Sequence, residues 1–381
     1  MHKKLSVVSL VGLAAVTALS LTAMNQTEAK YTGTRKLTIQ TDQINQLSTG
    51  YYAGVVPKTG YYVVQMRGGD GGSTSNAEGG VGGYVEALYK LNRGSTLELD
   101  VASDGQSGYR WTYCRGTNNR QQVYGGLGGD DLNIYTGAVA GGAGGGAAEL
   151  FVDGTRYAAA GGGGGAAGGQ AINGQGRGGS GGFMYEGATL PEKADGKHLL
   201  QIGDGFRGES GLSPVQNNYR GFGGYIDAPG VPGYTNYKDG YYSEAGGTAS
   251  GANGGVSGSN SDITYSFENA VGGGGAGWFG GGGGNACKSY NSGDAAKYCG
   301  AGGGGSSNAI NAVSTNLNGL FASIKTYKDV DLAAYRAGIP TTPQVGGGSY
   351  HAWFAKTQIY FVGATLPGDD KVGTGAIKLG S

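Results

Sequence analysis

Few residues in this sequence combine a reactive side chain with a spacing that suits chemistry. The histidines are His2, His198 and His351. None sits in a G-x-S-x-G or H-E-x-x-H setting, which would supply a nucleophile with its base or a zinc pair on one helix face. The cysteines are Cys114, Cys287 and Cys299, and no histidine stands at ligand spacing from them. No metal is expected. Cys287 and Cys299 enclose a short, polar, tyrosine-bearing loop and are expected to form a disulfide. Cys114 is then left over, either free or paired with another chain. Gly125–Asn133 (GGLGGDDLN) fits the calcium nonapeptide, in which carboxylates and turn carbonyls of stacked repeats share each ion. A single copy in so glycine-rich a chain reads as coincidence. The glycines near 161 and 272 match a loose G-x-G-x-x-G but lack its strand–turn–helix setting. Asp369 and Asp370 read as a solvated turn. A hydrolase with two carboxylates drawn from distant parts of the chain stays only as a reserve reading. The expectation is a non-enzymatic protein with no cofactor.

Recognition chemistry is better represented. The chain has 26 Tyr against 9 Phe and 3 Trp. Tyrosine offers a flat apolar face and a hydroxyl at low entropic cost, which suits an exposed binding surface. The segment Tyr219–Tyr242 holds six of them. The candidate binding residues are Tyr219, Arg220, Phe222, Tyr225, Tyr234, Tyr237, Tyr241 and Tyr242, together with Trp278 and Phe279. The competing reading is that these rings only cover sheet faces and glycine segments.

The elements that must position these residues are unusual. Of 381 residues, 85 are Gly, about three times the ordinary ~7%. They gather in Gly161–Gly165, Gly272–Gly275, Gly280–Gly284 and Gly302–Gly305. A free glycine run costs much backbone entropy on ordering and buries no side chain, so a flexible linker is one reading. These runs carry little Ser, are broken by Ala276, Trp278 and Phe279, and lie between strand-like segments. The favoured reading is a bundle of polyproline-II-type helices at roughly 161–305, close-packed because no Cβ intervenes. Gly→Val at Gly163 or Gly282 is then expected to prevent folding. With 27 basic and 27 acidic residues and 14% charged residues, the chain has no electrostatic reason to bind nucleic acid or anionic membrane.

His2, Lys3 and Lys4 precede an apolar stretch from Leu5 to Leu21, and Thr27-Glu28-Ala29 supplies small residues for a signal peptidase. Residues 1–29 read as a signal peptide and 30–381 as one glycine-rich domain, secreted or at the cell surface. No later window approaches the ~18 apolar residues of a spanning helix.

Strands are expected at Arg35–Gln40, Gly60–Met66, Gly83–Leu91, Thr96–Val101, Asp262–Phe267, Thr357–Val362 and Gly375–Leu379. GGDGG at 68–72 reads as a turn, and Asn92–Ser95 as a hairpin turn joining the strands on either side. Ala148–Ala160 reads as a hairpin about Asp153-Gly154, running into the first glycine run. Leu320, Phe321, Ile324 and Tyr327 form a helical stripe, for which Leu317 makes a poor anchor. Asp329 can cap a second short helix over 330–336. Gly187–Pro191 recurs as Gly363–Pro367 (GATLP), which suggests a duplicated loop.

The order of these pieces resembles the glycine-rich domain of the anaplastic lymphoma kinase and leukocyte tyrosine kinase ectodomains and of exported bacterial proteins. The resemblance lies in 60–72, GGVGGY at 79–84, the strands over 84–101, VDGTRYAAAGGGGG at 152–165, 280–307 and GTGAIKL at 373–379. It implies a mainly β fold, a jelly-roll sandwich like that of tumour necrosis factor with an inserted polyglycine-helix bundle. In the receptors such a domain binds protein cytokines, and a similar glycine arrangement occurs in phage tail-tip adhesins. The expected function is adhesion, or binding of a protein or glycan, at a cell surface. The alternative is a self-assembling subunit of an extracellular fibre, sheath or biofilm matrix, whose partner is the chain itself.

Overall fold

A computed structural model describes residues 34–74, 77–105, 141–167, 176, 178–179, 181–184, 222–224, 229–230, 271–284, 300–328, 332 and 357–367. The expected signal peptide, the nonapeptide at 125–133, the strands expected at 262–267 and 375–379, Asp329 and the first GATLP copy lie outside the described residues. What is described is mainly β. The strands are β1 (Arg35–Leu37), β2 (Asn45–Leu47), β3 (Gly50–Val55), β4 (Gly60–Arg67), β5 (Tyr84–Leu91), β6 (Thr96–Val101), β7 (Ala148–Val152), β8 (Thr155–Ala160), β9 (Phe183–Met184), β10 (Asn308–Ala309) and β11 (Thr357–Gly363). One helix, α1 (Asn318–Lys328), precedes β11.

Two sheets form, ordered β1-β3-β6-β7-β8-β10 and β2-β11-β4-β5-β9. Their facing sides share one apolar cluster. Tyr62, Val64 and Met66 of β4 and Val85, Ala87 and Tyr89 of β5 meet Leu97, Leu99 and Val101 of β6 and Leu150 and Val152 of β7. The step of two in each strand is what sends alternate side chains into one core. The outer face of the five-stranded sheet is covered too. Val63, Leu88, Tyr360 and Val362 pack against Leu317, Leu320, Phe321 and Ile324. Burial on both faces explains why β4 reads as an almost unbroken Tyr/Val run rather than as a strict alternation. Leu317 is fully buried, and its carbonyl accepts from Phe321 N at 2.8 Å. It therefore anchors the helix that the sequence reading denied it, its asparagine neighbours notwithstanding.

The β7–β8 hairpin forms as expected, with Asp153 at φ 47° and Gly154 at φ 77°. Two successive positive φ values match the type I′ turn that strand twist favours. The turn at Asn92–Ser95 does not make a hairpin. β5 pairs with β4 and β9, whereas β6 pairs with β3 and β7. The chain arches from one sheet to the other there, and both strands present an apolar face to the same core.

The glycine segments form a second ordered body built on strand ends. Residues 161–167 continue β8 and lie at its centre. Their amides donate with a step of three: Gly162 and Gly165 to Ala276 and Gly273, Gly163 and Ala166 to Gly69 and Gly72, Gly164 and Ala167 to Gly179 and Gly176. Their carbonyls accept with the same step: Gly161 and Gly164 from Gly83 and Gly80, Gly162 and Gly165 from Gly305 and Gly302, Gly163 and Ala166 from Gly145 and Gly142. All these bonds measure 2.6–3.0 Å. The segment is thus surrounded by 68–72, 79–83, 176 with 178–179 and 181–182, 300–306, 271–277 and 141–147. These neighbours bond to one another in that order and close a ring, through Gly68 N to Gly83 O, Gly181 N to Val81 O, Gly182 N to Gly305 O, Gly275 N to Gly303 O, Ala276 N to Gly145 O and Gly69 N to Gly146 O. GGDGG at 68–72 is therefore an extended ring member and not a turn, and the network starts well before 161.

Glycine is needed here for its missing Cβ and not for left-handed backbone. Among the described residues the positive-φ glycines are Gly50, Gly60, Gly94, Gly154 and Gly363, none of them in the ring. A Cβ on Gly163 would instead fall closer than 3.0 Å to the carbonyl oxygen of Gly80 and to Gly71 N. Real side chains do not tolerate such an approach.

Candidate functional site

The described aromatic candidates come together at one place on this body. Residues 271–277 and 280–284 run antiparallel, with Gly281 N donating to Gly275 O and Gly284 N to Gly272 O, both at 2.8 Å. They make a glycine hairpin whose tip is Trp278-Phe279. Phe222 lies alongside: its carbonyl accepts from Gly282 N at 2.8 Å, and Gly224 N donates to Gly304 O at 2.9 Å. A Cβ on Gly224 would meet the carbonyl oxygen of Phe279, so the two segments touch backbone to backbone. Tyr219, Arg220, Tyr225, Tyr234, Tyr237, Tyr241 and Tyr242 lie outside the described residues, as do Cys114, Cys287, Cys299, His198 and His351. Their neighbours are placed, however. Phe222–Gly224 rests on the 300–306 segment, and Gly230 N donates to Gly280 O at 2.8 Å. Of the tyrosine-rich stretch, Phe222, Gly224 and Gly230 are the residues bonded beside the hairpin.

Two anchors hold the tip. Ser306 grips the backbone: its amide donates to Phe279 O at 2.8 Å, its carbonyl accepts from Trp278 N at 2.8 Å, and its hydroxyl accepts from Phe279 N at 2.9 Å. Arg156 of β8 supplies the second anchor. Its Nη1 donates to Trp278 O at 3.1 Å and its Nη2 to Gly277 O at 2.6 Å. The guanidinium carbon lies 4.7 Å from the centroid of the Trp278 ring, a cation–π distance. Arg156 Nε pairs with Glu149 Oε1 of β7 at 2.7 Å, and the Glu149 side chain is 1% exposed. Burial lowers the pKa of Arg156 from its usual range, and the Glu149 charge opposes that shift. Trp278 and Phe279 are themselves half-buried.

Arg156, Glu149 and Ser306 were not singled out by sequence reasoning. Arg156 and Glu149 flank the Asp153-Gly154 turn on paired strands, so the hairpin signal alone could have suggested an ion pair. Its contact with Trp278 spans 122 residues and left no local trace.

Two further polar groups are buried, one where β4 meets the glycine body and one on a sheet face. Arg67 bonds to Asp70, Gly82 N donates to Asp70 Oδ1 at 2.6 Å, and Asp70 N donates to Asp104 Oδ1 at 2.8 Å. Burial first, and the Asp70 charge second, push the Asp104 carboxyl up to about 8. On the outer face of the five-stranded sheet, Gln358 Nε2 donates to Gln65 Oε1 at 2.6 Å, Gln65 Nε2 to Tyr84 Oη at 2.8 Å, and Tyr84 Oη to Glu86 Oε2 at 2.9 Å. Each of these side chains is at most 2% exposed. They knit strands together and offer no face to a substrate. Among the described residues no group of three His, Cys, Asp or Glu is placed to hold a metal ion. No helix there is long and apolar enough to cross a membrane.

Comparison with known proteins adds no relative: no protein-family model matches the chain, and no curated protein sequence matches it.

Proposed function

We propose that this is an exported, non-enzymatic glycine-rich protein that acts at a cell surface by adhesion or by binding a protein or glycan. On this reading the sandwich is a jelly roll, and the glycine segments are polyglycine helices of polyproline-II geometry. One observation carries it: the step-of-three hydrogen bonding of 161–167 to six neighbours. A three-residue turn with all donors aimed sideways is what such helices provide. The same network supports the resemblance to the receptor-type glycine-rich domain, since β8 runs into its glycine run without a break. A body held by backbone bonds is stiff and leaves its loops free to vary, which suits a platform for recognition. The binding residues are then Trp278, Phe279 and Phe222, with Tyr219, Arg220, Tyr225, Tyr234, Tyr237, Tyr241 and Tyr242 of the same tyrosine-rich stretch.

The self-assembly reading draws less support. The described sheets end in β1, β2, β9 and β10, each of two or three residues. Short edges are poor templates for strand addition.

The test is solution mass by light scattering on purified residues 30–381, with electron microscopy of the same sample, followed by glycan-array and host-protein binding. A stable small species whose binding is lost in Tyr234→Ala/Tyr237→Ala supports the proposal. Concentration-dependent growth into regular filaments would replace it with structural assembly.

A further inference from the structure

We propose that Arg156 is the positioning residue of the aromatic tip, and that the 277–281 strap opens as a unit when its grip is cut. The strap has few attachments to the sandwich. The hairpin arms bond to other glycine segments, at Gly142, Gly145, Gly162, Gly165, Gly230, Gly300, Gly303 and Phe222. Among the described residues, one side chain from the sheets is seen to reach the tip. The two terminal nitrogens of Arg156 hold the carbonyls of Trp278 and Gly277, its plane lies against the indole, and its Nε faces Glu149. A planar fork can do this, and a lysine ammonium cannot hold two carbonyls and a ring at once. Glu149 completes the device. It is almost fully buried beside the guanidinium and holds that charge in place between the sheet and the tip. Truncating either partner leaves the other charge buried and uncompensated. Ser306 ties the same tip to the glycine ring, and Gly230 and Gly275 hold Gly280 and Gly281 beside it, so Arg156 is the strap's described link to the sandwich and its other links run to the glycine body. Losing the Arg156 anchor leaves the tip on its glycine-body contacts alone, so the amides of Trp278 and Gly281, which donate to Ser306 O and Gly275 O, open more often.

This deepens the binding proposal by naming what sets the direction of Trp278 and Phe279. It does not depend on a ligand, because the tip is read directly.

The experiment is amide hydrogen exchange on full-length mature protein carrying Arg156→Lys or Trp278→Phe, with β4 and β5 as internal references. Trp278→Phe keeps the carbonyl contacts and weakens only the stacking, so it keeps the proposal testable if Arg156→Lys does not fold. We expect exchange at Trp278 and Gly281 to rise by about tenfold or more in Arg156→Lys, the scale for losing a charge-assisted hydrogen bond. We expect a smaller rise in Trp278→Phe and none in β4 or β5. Unchanged exchange at the tip, or an equal rise across tip and sheets, would overturn the proposal. Should a ligand be found, loss of binding in Arg156→Lys with tip exchange unchanged would keep the binding proposal and sink this one. Faster tip exchange with binding intact would do the reverse for the role of Trp278 and Phe279.

Discussion

Asp104 stands at the margin of the glycine body, where its carboxylate accepts from Asp70 N and the next residue, Gly105, donates to Asp70 O at 2.7 Å. Two acids face one buried cation, Arg67, and the carboxyl of Asp104 is pushed up to about 8 by burial and by Asp70. In an unfolded chain the same carboxyl titrates at about 3.9. Between those values the folded chain keeps a proton that the unfolded chain has released. Stability must then fall as pH rises through that window and level off above it. Asp104→Asn keeps the shape and removes the proton. Its melting temperature should therefore change less from about pH 5 to about pH 9 than that of the parent protein. Parallel curves for the two proteins would show that the burial of Asp104 has no energetic consequence.

At the level of elements, glycine has two unlike uses, and they predict opposite outcomes for one substitution. Gly163 is hemmed in by the backbones of Gly80 and Gly71, whereas Gly319 in the first turn of α1 has open space where a Cβ would go. Gly163→Ala should destabilise by ~3 kcal/mol or more, since backbone cannot move aside as a side chain can. Gly319→Ala should stabilise by about 0.5–1 kcal/mol through helix propensity. Denaturant midpoints of the two variants check this, and similar shifts in both would contradict the close-packed ring. The same contrast explains what was legible in the sequence. β4, β7, β8, β11 and α1 were readable because the period of two, the Asp-Gly turn and the Leu320/Phe321/Ile324 stripe are local signals. GGDGG was misread as a turn because local rules see only glycine's freedom. The lone Asp70 within it marks a ring position where a side chain fits, a pattern that makes sense only once six neighbours are placed. The arch between β5 and β6 failed for the same reason: a four-residue turn does not say which sheet receives the next strand. For the tip, Trp278 and Phe279 could be picked out by type, but the residue that holds them could not.

For the whole molecule, the question is whether sandwich and glycine body are one folding unit. The chain crosses between them without a joint: β4 leads into 68, 79–83 into β5, 141–147 into β7, β8 into 161, 181–182 into β9 and 305–307 into β10. The six-stranded and five-stranded sheets both contribute, so the ring can close only when both are in register. Ser307 strengthens the seam, accepting from Gly161 N at 2.9 Å and donating to Gly182 O. Bonds at the centre of the ring are reached only by removing neighbours, five of which are themselves strand ends, the sixth being the 271–277 hairpin arm. The amides of Gly162–Ala167 should therefore exchange with the same free energy as those of Val63 and Leu88 in the core strands, the value for global unfolding. A calorimetric scan should show one transition. If the central amides exchange far faster than Val63 and Leu88 while the sandwich stays protected, the glycine body opens by itself. It would then be a flexible appendage, and a rigid platform for the aromatic tip would lose its physical basis.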